Sequence, residues 1–360
     1  MEIGILGLAK ASKTTLFNTL TASSQNTDKF TASAKTHLGV AVVPDPRLAR
    51  LRDLFEPRKY TPATVQYVDV PGLKTGVGGG GAGESLDLTR LKTVNALMHV
   101  VRAFADPEIV HPAGRVDPAR DVEAVDLELI LADHDLVERR LERLVQGAKR
   151  GLKPEELREQ KLLDEVVRLA LEAERPLREI GLEGDDERML RGFQLLSAKP
   201  MLIVVNVGEE AVATADPGAM GIRAGAGVKV ITASAPIEQE ISRLPPEEQR
   251  EFLADLGLAE PSLDRVIRAS YELLGLISMF TVGDDEVRAW TLRRGTPARK
   301  AGGAIHSDIE RGFIRTEVVA WDDLLRLGTL AACREHGLLR LEGKEYVIED
   351  GEVVHFRFNV

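Results

Sequence analysis

The sequence is poor in cysteine, in aromatic residues and in long apolar runs. Cys333 is the only cysteine among 360 residues, which excludes a disulfide framework and a thiolate metal cluster. No apolar run approaches the roughly 20 residues that cross a bilayer, and the first ten residues lack the basic leader of a signal peptide. Basic residues are outnumbered, 47 against 57, so general positive charge for wrapping nucleic acid is excluded. We expect a cytoplasmic protein.

Short apolar runs alternate with helical patterns through much of the chain. These runs cover residues 2–7, 63–70, 96–104, 200–207 and 228–235. Continuous apolar runs of this length are typical of strands that are buried on both faces. The sequence therefore predicts an α/β fold with a mostly parallel sheet covered by helices.

Two regions depart from this pattern. Residues 119–198 are highly charged, and their apolar residues recur at helical spacing on either side of a turn at 149–154, which predicts an inserted helical hairpin. From residue 276 onward, short strands and turns predict a small β-rich domain. The predicted domains are 1–118 with 199–275, then 119–198, then 276–360.

The stretch GLAKASKTTLFNTL, residues 7–20, follows the first predicted strand and begins a helix. It matches the phosphate-binding pattern G-x-x-x-x-G-K-[ST], except that Ser12 replaces the second glycine. In that pattern Lys13 reaches the β- and γ-phosphates and the Thr14 hydroxyl ligates Mg²⁺. Ser12 either crowds the phosphates or offers them a hydrogen bond; alternatively, it simply caps an ordinary turn. The candidate nucleotide contacts are Lys10, Ala11, Ser12, Lys13, Thr14 and Thr15.

A second element, VDVPG, ends the strand at 63–70 and contains a D-x-x-G pattern. Asp69 at the end of such a strand reaches Mg²⁺ through water, and the Gly72 N–H senses a γ-phosphate. The glycine-rich residues 76–83 that follow are either a flexible linker or part of a switch loop.

Two further elements follow the last two strands. Asn206 begins NVGE, where GTP-reading switches carry N-K-x-D, so Glu209 stands in the base-reading position. Ser234 and Ala235 lie in TASAP, where a backbone amide would meet a purine edge. The four elements occur in the order of a nucleotide-dependent switch.

With these motifs, the chain resembles the YchF / Obg-like ATPase family. The resemblance runs from GILGL through KTTLFNTLT, PDPRL, VDVPGL, HVVRAF, LGLAEPSLDRVIRASYELLGL, EVRAWT and GAIHSDIERGFIR to GKEYVIEDGEVVHFRFNV at residue 360. It implies a G domain with an inserted coiled-coil arm and a C-terminal TGS domain, which are the three parts predicted above.

The resemblance also implies roles for individual residues. It implies a preference for ATP over GTP, with Asn206, the backbone of Val207 and Glu209 reading adenine. The family has an apolar residue, here Leu73, where other switches have a catalytic glutamine. Its water-orienting histidine corresponds to His111, which without the resemblance is a loop histidine with no role.

Departures from the family pattern lie around the phosphates. Lys10 replaces an asparagine that helps to hold a monovalent cation; its ammonium either substitutes for that cation as a catalytic charge or points into solvent. Ser33 occupies the position of the threonine that closes over Mg²⁺, with Thr31 and Thr36 as alternatives. Thr14, Ser33 and Asp69 are therefore the candidate metal ligands.

The sequence thus predicts a Mg²⁺-dependent P-loop NTPase, a slow ATPase that prefers ATP to GTP and acts as a ribosome- or translation-associated switch. The alternative is a non-hydrolysing nucleotide-binding or interaction module with a degenerate phosphate loop. Contact with rRNA would use the arm and the TGS domain, where residues 287–307 contain no acidic residue; otherwise this run is a solvated edge. The basic residues there are Arg288, Arg293, Arg294, Arg299 and Lys300.

Overall fold

The computed structural model describes residues 1–22, 37–70, 88–148 and 151–359. These ranges do not include Thr31, Ser33, Thr36, Gly72, Leu73 and the glycine-rich run 76–83. The strands are β1 Glu2–Leu6, β2 His37–Val42, β3 Lys59–Thr61, β4 Thr64–Asp69, β5 Ala96–Arg102, β6 Met201–Asn206, β7 Val228–Ala233, β8 Leu276–Thr281, β9 Glu286–Arg293, β10 Phe313–Ala320, β11 Arg340–Glu342 and β12 Glu352–Phe358.

The helices alternate with these strands in the first two thirds of the chain. They are α1 Lys13–Thr21, α2 Pro46–Phe55, α3 Leu88–Thr93, α4 Pro118–Ala148, α5 Pro154–Leu162, α6 Leu169–Glu172, α7 Gly184–Arg191, α8 Ala235–Ile241, α9 Pro246–Asp255, α10 Ser262–Leu273, α11 Ala298–Ile305, α12 Ser307–Arg311, α13 Trp321–Leu327 and α14 Leu330–Glu335. A π-helical turn, Leu163–Arg168, joins α5 to α6. None of the helices in the described ranges combines the length and apolar character that a bilayer crossing needs.

The first sheet has the strand order β2-β4-β1-β5-β6-β7. Strand β1 is parallel to β4 and β5, and β6 is parallel to β5 and β7. Every residue of β5 and β6 is buried, which is why their sequences are apolar runs without alternation. The parallel register places the ends of β4, β6 and β7 at one edge of the sheet, with Asp69 opposite Ile5 and Asn206 opposite Ala233.

The 31-residue helix α4 belongs to two cores. Val125 and Leu129 pack with the residues that cover the sheet, whereas Val137 and Leu141 pack against the helices that return through Leu163. The helical insertion predicted from spacing is therefore confirmed.

The second sheet has the order β11-β10-β12-β8-β9-β3. Helices α11 and α12 pack against it in a separate small hydrophobic core. Strand β8 is antiparallel to β9 and parallel to β12. This confirms the predicted β-rich C-terminal part.

The chain divides into two compact units, residues 1–39 with 66–266 and residues 40–65 with 267–360. Residues 40–65, which the predicted boundaries assign to the first domain, therefore group with the second sheet. The physical reason is that Lys59 and Thr61 of β3 pair with Glu286 and Arg288 of β9. Pairing over such a separation leaves no local signal in the sequence, so the three-domain boundaries stay a prediction.

Candidate nucleotide-binding site

The phosphate loop connects β1 to α1 through an unusual backbone path. Gly7 has φ 142°, and a Cβ there would collide with Val100 O, so only glycine fits. Lys10 and Ser12 have φ 64° and 66°, in the left-handed region. Ser12 stands at the helix N-cap, but among the described residues its side chain makes no capping hydrogen bond. A capped turn is thus not what holds this loop.

Lys13 is folded back onto its own loop. Its Nζ donates to Leu8 O at 2.8 Å, and the side chain is buried. Burial lowers the pKa of Lys13 to about 8, although the nearby Asp69 carboxylate opposes this shift. A buried ammonium beside the start of a helix, whose first N–H groups lack intrahelical partners, is suited to a polyanion.

Thr14 and Asp69 converge at the same edge of the sheet. Thr14 Oγ1 donates to Asp69 Oδ2 at 3.0 Å. Burial raises the pKa of Asp69, against the effects of the Thr14 hydrogen bond and the Lys13 charge, so a cation here would gain from a poorly solvated carboxylate. A hydroxyl and a carboxylate are ligands that suit Mg²⁺, which takes its remaining ligands from water and phosphate. Within the described ranges, no group of three or more His, Cys, Asp or Glu side chains is placed to hold a metal ion.

Asn206 links the phosphate loop to the loop after β7. Its Nδ2 donates to Ala11 O at 3.3 Å, and its Oδ1 accepts from the Ala235 N–H at 2.9 Å. The residue is 1% exposed. Each end of the amide therefore makes one bracing contact, but the amide nitrogen carries a second hydrogen, so base reading by Asn206 stays a prediction.

The other base-reading candidates differ in their exposure and in whether their backbone N–H groups are already bonded. The Val207 N–H donates to Ala233 O and the Ala235 N–H to Asn206, so neither amide is offered to a purine. Ser234 is buried, whereas Glu209 is exposed at the start of a 3₁₀ turn. The sequence could not show this, because strand register decides which amides are used.

His111 does not face the loop through a free nitrogen. Its Nε2 lies 2.9 Å from Asp121 Oδ2, and its Nδ1 accepts from the Ala113 N–H at 3.2 Å. Both His111 and Asp121 are buried. The two residues line one small cavity together with Leu8 and Ala11 of the phosphate loop.

Sequence reasoning missed three polar residues at this place. Asp121 holds His111, and buried Arg102 donates to the carbonyl oxygens of Phe104 and Ile109, which shapes the loop before His111. His99 lies wholly buried in the same cavity, and neither ring nitrogen has a partner among the described residues; burial lowers its pKa to about 3. For His99 and Arg102, the signal in the sequence was a polar residue inside the apolar run 96–104.

A parallel sheet whose first strand leads through a phosphate loop into a helix, with Lys13, Thr14 and Asp69 gathered at its edge, defines a P-loop NTPase. The ribosome-binding ATPase YchF of Bacillus subtilis is 42% identical over 366 residues, covering 100% of both chains, and the rice Obg-like ATPase 1 is 34% identical over 100% of this chain and 92% of its own. The chain belongs to the YchF / Obg-like ATPase family.

A solved structure and a family model agree with this assignment. The Schizosaccharomyces pombe YchF GTPase superposes with a TM-score of 0.84 at 31% identity, covering 99% of this chain and 97% of its own. Residues 276–359 match the model YchF-GTPase_C, described as a protein of unknown function (DUF933). The resemblance to this family read from the motifs is confirmed.

Proposed function

We propose that the protein is a Mg²⁺-dependent P-loop ATPase that works as a slow switch on the ribosome. The observation that carries the proposal is the gathering of Lys13, Thr14 and Asp69 at one edge of the sheet, with Thr14 and Asp69 already in hydrogen-bond contact. The names of the relatives, ribosome-binding ATPase and Obg-like ATPase, support the same activity and partner.

Phosphoryl transfer requires positioning and charge stabilisation more than covalent chemistry. Lys13 would exchange the Leu8 carbonyl for the β- and γ-phosphate oxygens, while the N–H groups at the start of α1, from Lys13 to Thr15, contact phosphate. Thr14 and Asp69 would hold Mg²⁺, which would supply positive charge to neutralise those oxygens. Ser33 would offer a further hydroxyl to the metal, and the Gly72 N–H would contact the γ-phosphate. His111 would orient the attacking water. Ala11 and Ser12 would line the loop around the phosphates.

Base preference is the finer part of the proposal. Adenine would be read by Glu209, by the carbonyl oxygen of Val207 and by the second Nδ2 hydrogen of Asn206, and Ser234 and Ala235 would line the base, because Ser234 O already accepts from the Glu238 N–H at 2.9 Å. One solved relative is titled a GTPase and others are named ATPases, so the base has to be measured.

The test is calorimetric titration of the purified protein with ATP and with GTP in Mg²⁺, with phosphate release followed on the same sample. We expect tighter ATP binding with slow turnover, and a loss of roughly 100-fold in turnover for Lys13→Ala. Binding without phosphate release would favour the non-hydrolysing module, and absence of binding would refute the site.

Lys10 is exposed on the loop, so its side chain is free to approach a bound triphosphate. We propose that its ammonium replaces the monovalent cation of related switches. Turnover should then be independent of K⁺ and should fall in Lys10→Ala; strong K⁺ stimulation would refute this role and leave Lys10 as a solvent-exposed side chain.

The basic run of the C-terminal unit is the proposed rRNA contact. Arg288 stacks on Trp290, Arg299 donates to Glu310 O and Lys300 pairs with the Glu310 carboxylate. The exposed Arg293 and Arg294 are therefore the residues that would meet phosphates first. Arg293→Glu with Arg294→Glu should abolish co-sedimentation with ribosomes, whereas exposed Arg326→Glu should not. Unchanged sedimentation of the double variant would remove the patch from the proposal.

A further inference from the structure

Both ring nitrogens of His111 are engaged by the protein itself. Since Nδ1 accepts a hydrogen bond from the Ala113 N–H, the ring proton lies on Nε2 and is donated to Asp121. A histidine that orients water needs one nitrogen free to face it. His111 can therefore act on a nucleotide only after one of these two bonds has broken.

The two bonds differ in what they connect. Ala113 is two residues from His111 in the same turn, where the Gly114 N–H also donates to His111 O, so this contact travels with the histidine. Asp121 stands on a separate element, in the first turns of α4. The Asp121 bond is thus the one that a movement of loop against helix would break.

Asp121 is held firmly on its own side. It is 2% exposed, and its second oxygen accepts from Nε and the terminal nitrogen of Arg120 at 3.2 and 2.8 Å. Arg120 also donates to Arg115 O, at the end of the His111 loop. The carboxylate is therefore fixed relative to the helix, and its position follows that of α4.

Helix α4 continues without interruption from this contact into the arm. From Asp121 to Leu144, in the arm core, it spans about 35 Å at 1.5 Å per residue. Because α4 packs on the sheet through Val125 and in the arm through Val137, it is one continuous helix that joins the arm to the His111 loop.

We propose that Asp121 is a positioning residue that restrains His111, so that the arm helix controls when His111 reaches the nucleotide. The proposal rests on the proposed function, because it takes His111 as the residue that orients water. His111 lies beside the phosphate loop, since His111 and Asp121 line the same small pocket as Leu8, Ala9 and Ala11.

The test compares steady-state ATP hydrolysis of the full chain with that of Asp121→Ala. Loss of the restraint should raise kcat roughly fivefold, an amount typical of one hydrogen bond, with KM unchanged because Asp121 contacts no phosphate. Asp121→Asn should give a smaller rise, because the amide oxygen still accepts from Nε2. Glu123→Ala removes an exposed carboxylate from the same turn of α4 and is the matched control.

The double variant Asp121→Ala/His111→Ala distinguishes the release of His111 from a non-specific loosening of the structure as the cause of a higher kcat. If Asp121 acts through His111, the rise in kcat disappears in the double variant. A kcat that stays the same or falls in Asp121→Ala, while His111→Ala lowers it, overturns the restraint. An inactive wild type, or a His111→Ala variant with full activity, contradicts the proposed function instead.

A measurement on the wild type needs no variant to fold. Nitrogen-15 spectra of the nucleotide-free protein should show His111 as the Nε2–H tautomer. Observation of the Nδ1–H tautomer would overturn the proposed restraint.

Discussion

At the scale of single residues, the phosphate loop holds a serine in a backbone conformation that glycine usually adopts. Ser12 adopts φ 66° and ψ 29°, a conformation that costs an L-residue about 1–2 kcal/mol. Its side chain offsets little of this cost, since no capping hydrogen bond forms within the described part of the chain. The serine therefore adds a backbone cost that a glycine at this position would not carry.

Replacement of Ser12 by glycine should stabilise the protein. Relief of left-handed strain exceeds the entropy that glycine adds to the unfolded chain, so Ser12→Gly should raise the free energy of unfolding by about 0.5–1 kcal/mol. Ser12→Ala keeps the Cβ and should stay within about 0.5 kcal/mol of wild type. Urea unfolding measures both; a loss in Ser12→Ala larger than the gain in Ser12→Gly would show that the hydroxyl matters.

The lowered pKa of Lys13 predicts a pH dependence of nucleotide binding. Below its pKa of about 8, Lys13 is protonated in both the free and the bound protein, so its titration does not change the ATP affinity with pH. Above that pH the free protein has lost the proton that a triphosphate favours, so binding takes up a proton. ATP affinity should then fall by up to about tenfold per pH unit.

Calorimetry from about pH 7 to about pH 10 checks this dependence, with Lys13→Arg as the control. A guanidinium keeps its proton over this range, so the affinity of Lys13→Arg should be nearly flat. Equal slopes for the two proteins would assign the dependence to another group.

At the scale of elements, the sequence predicts what burial alone decides. The buried strands β5 and β6 follow from their continuous apolar runs, and the apolar stripe of α4 follows from its helical spacing, because each apolar residue needs only a core to pack against. Polar residues inside these patterns do not follow. Asp133 lies among the apolar residues of α4, and Asn206 ends an apolar strand. The stability that each contributes depends on which N–H groups the tertiary structure brings within hydrogen-bond distance.

Asp133 should be a major stabilising contact of α4. It is 1% exposed and accepts from the N–H groups of Leu196 and Ser197 at 2.8 and 2.7 Å, and from Ser197 Oγ. Asp133→Ala leaves two buried N–H groups without an acceptor and should lower the free energy of unfolding by about 3 kcal/mol.

Urea unfolding of Asp135→Ala provides the comparison for this prediction. Asp135 is exposed on the same helix, with an i,i+4 contact of 3.9 Å to Arg139, so its loss should cost less than about 0.5 kcal/mol. Both substitutions remove one aspartate from α4. Similar losses would mean that Asp133 is not the contact described.

At the scale of the whole molecule, chain order and compact units do not coincide. Residues 40–65 come early but belong with 267–360. In that unit β3 extends the sheet beside β9, and Arg47 of α2 binds Asp350. The sequence of this segment resembles the surrounding α/β pattern, so only its distant partners reveal where it belongs.

Arg47 should be the residue on which this grouping depends most. Its guanidinium donates to Asp45 and to both oxygens of Asp350, and lies 5.3 Å from the centre of the Phe280 ring. Arg47→Ala removes charge-assisted hydrogen bonds that are partly shielded from water, and should lower the free energy of unfolding by about 2 kcal/mol.

Amide hydrogen exchange of Arg47→Ala shows which residues lose stability in this variant. Asp350 also accepts from the Ser278 N–H of β8, so protection should fall most for Ser278 and its neighbours in Arg47→Ala. Arg58→Ala removes an arginine that is 87% exposed and should change stability by less than about 0.5 kcal/mol. If β8 keeps its protection in Arg47→Ala, α2 does not hold this unit together through Asp350, and the strand pair β3–β9 has to carry the attachment of residues 40–65 alone.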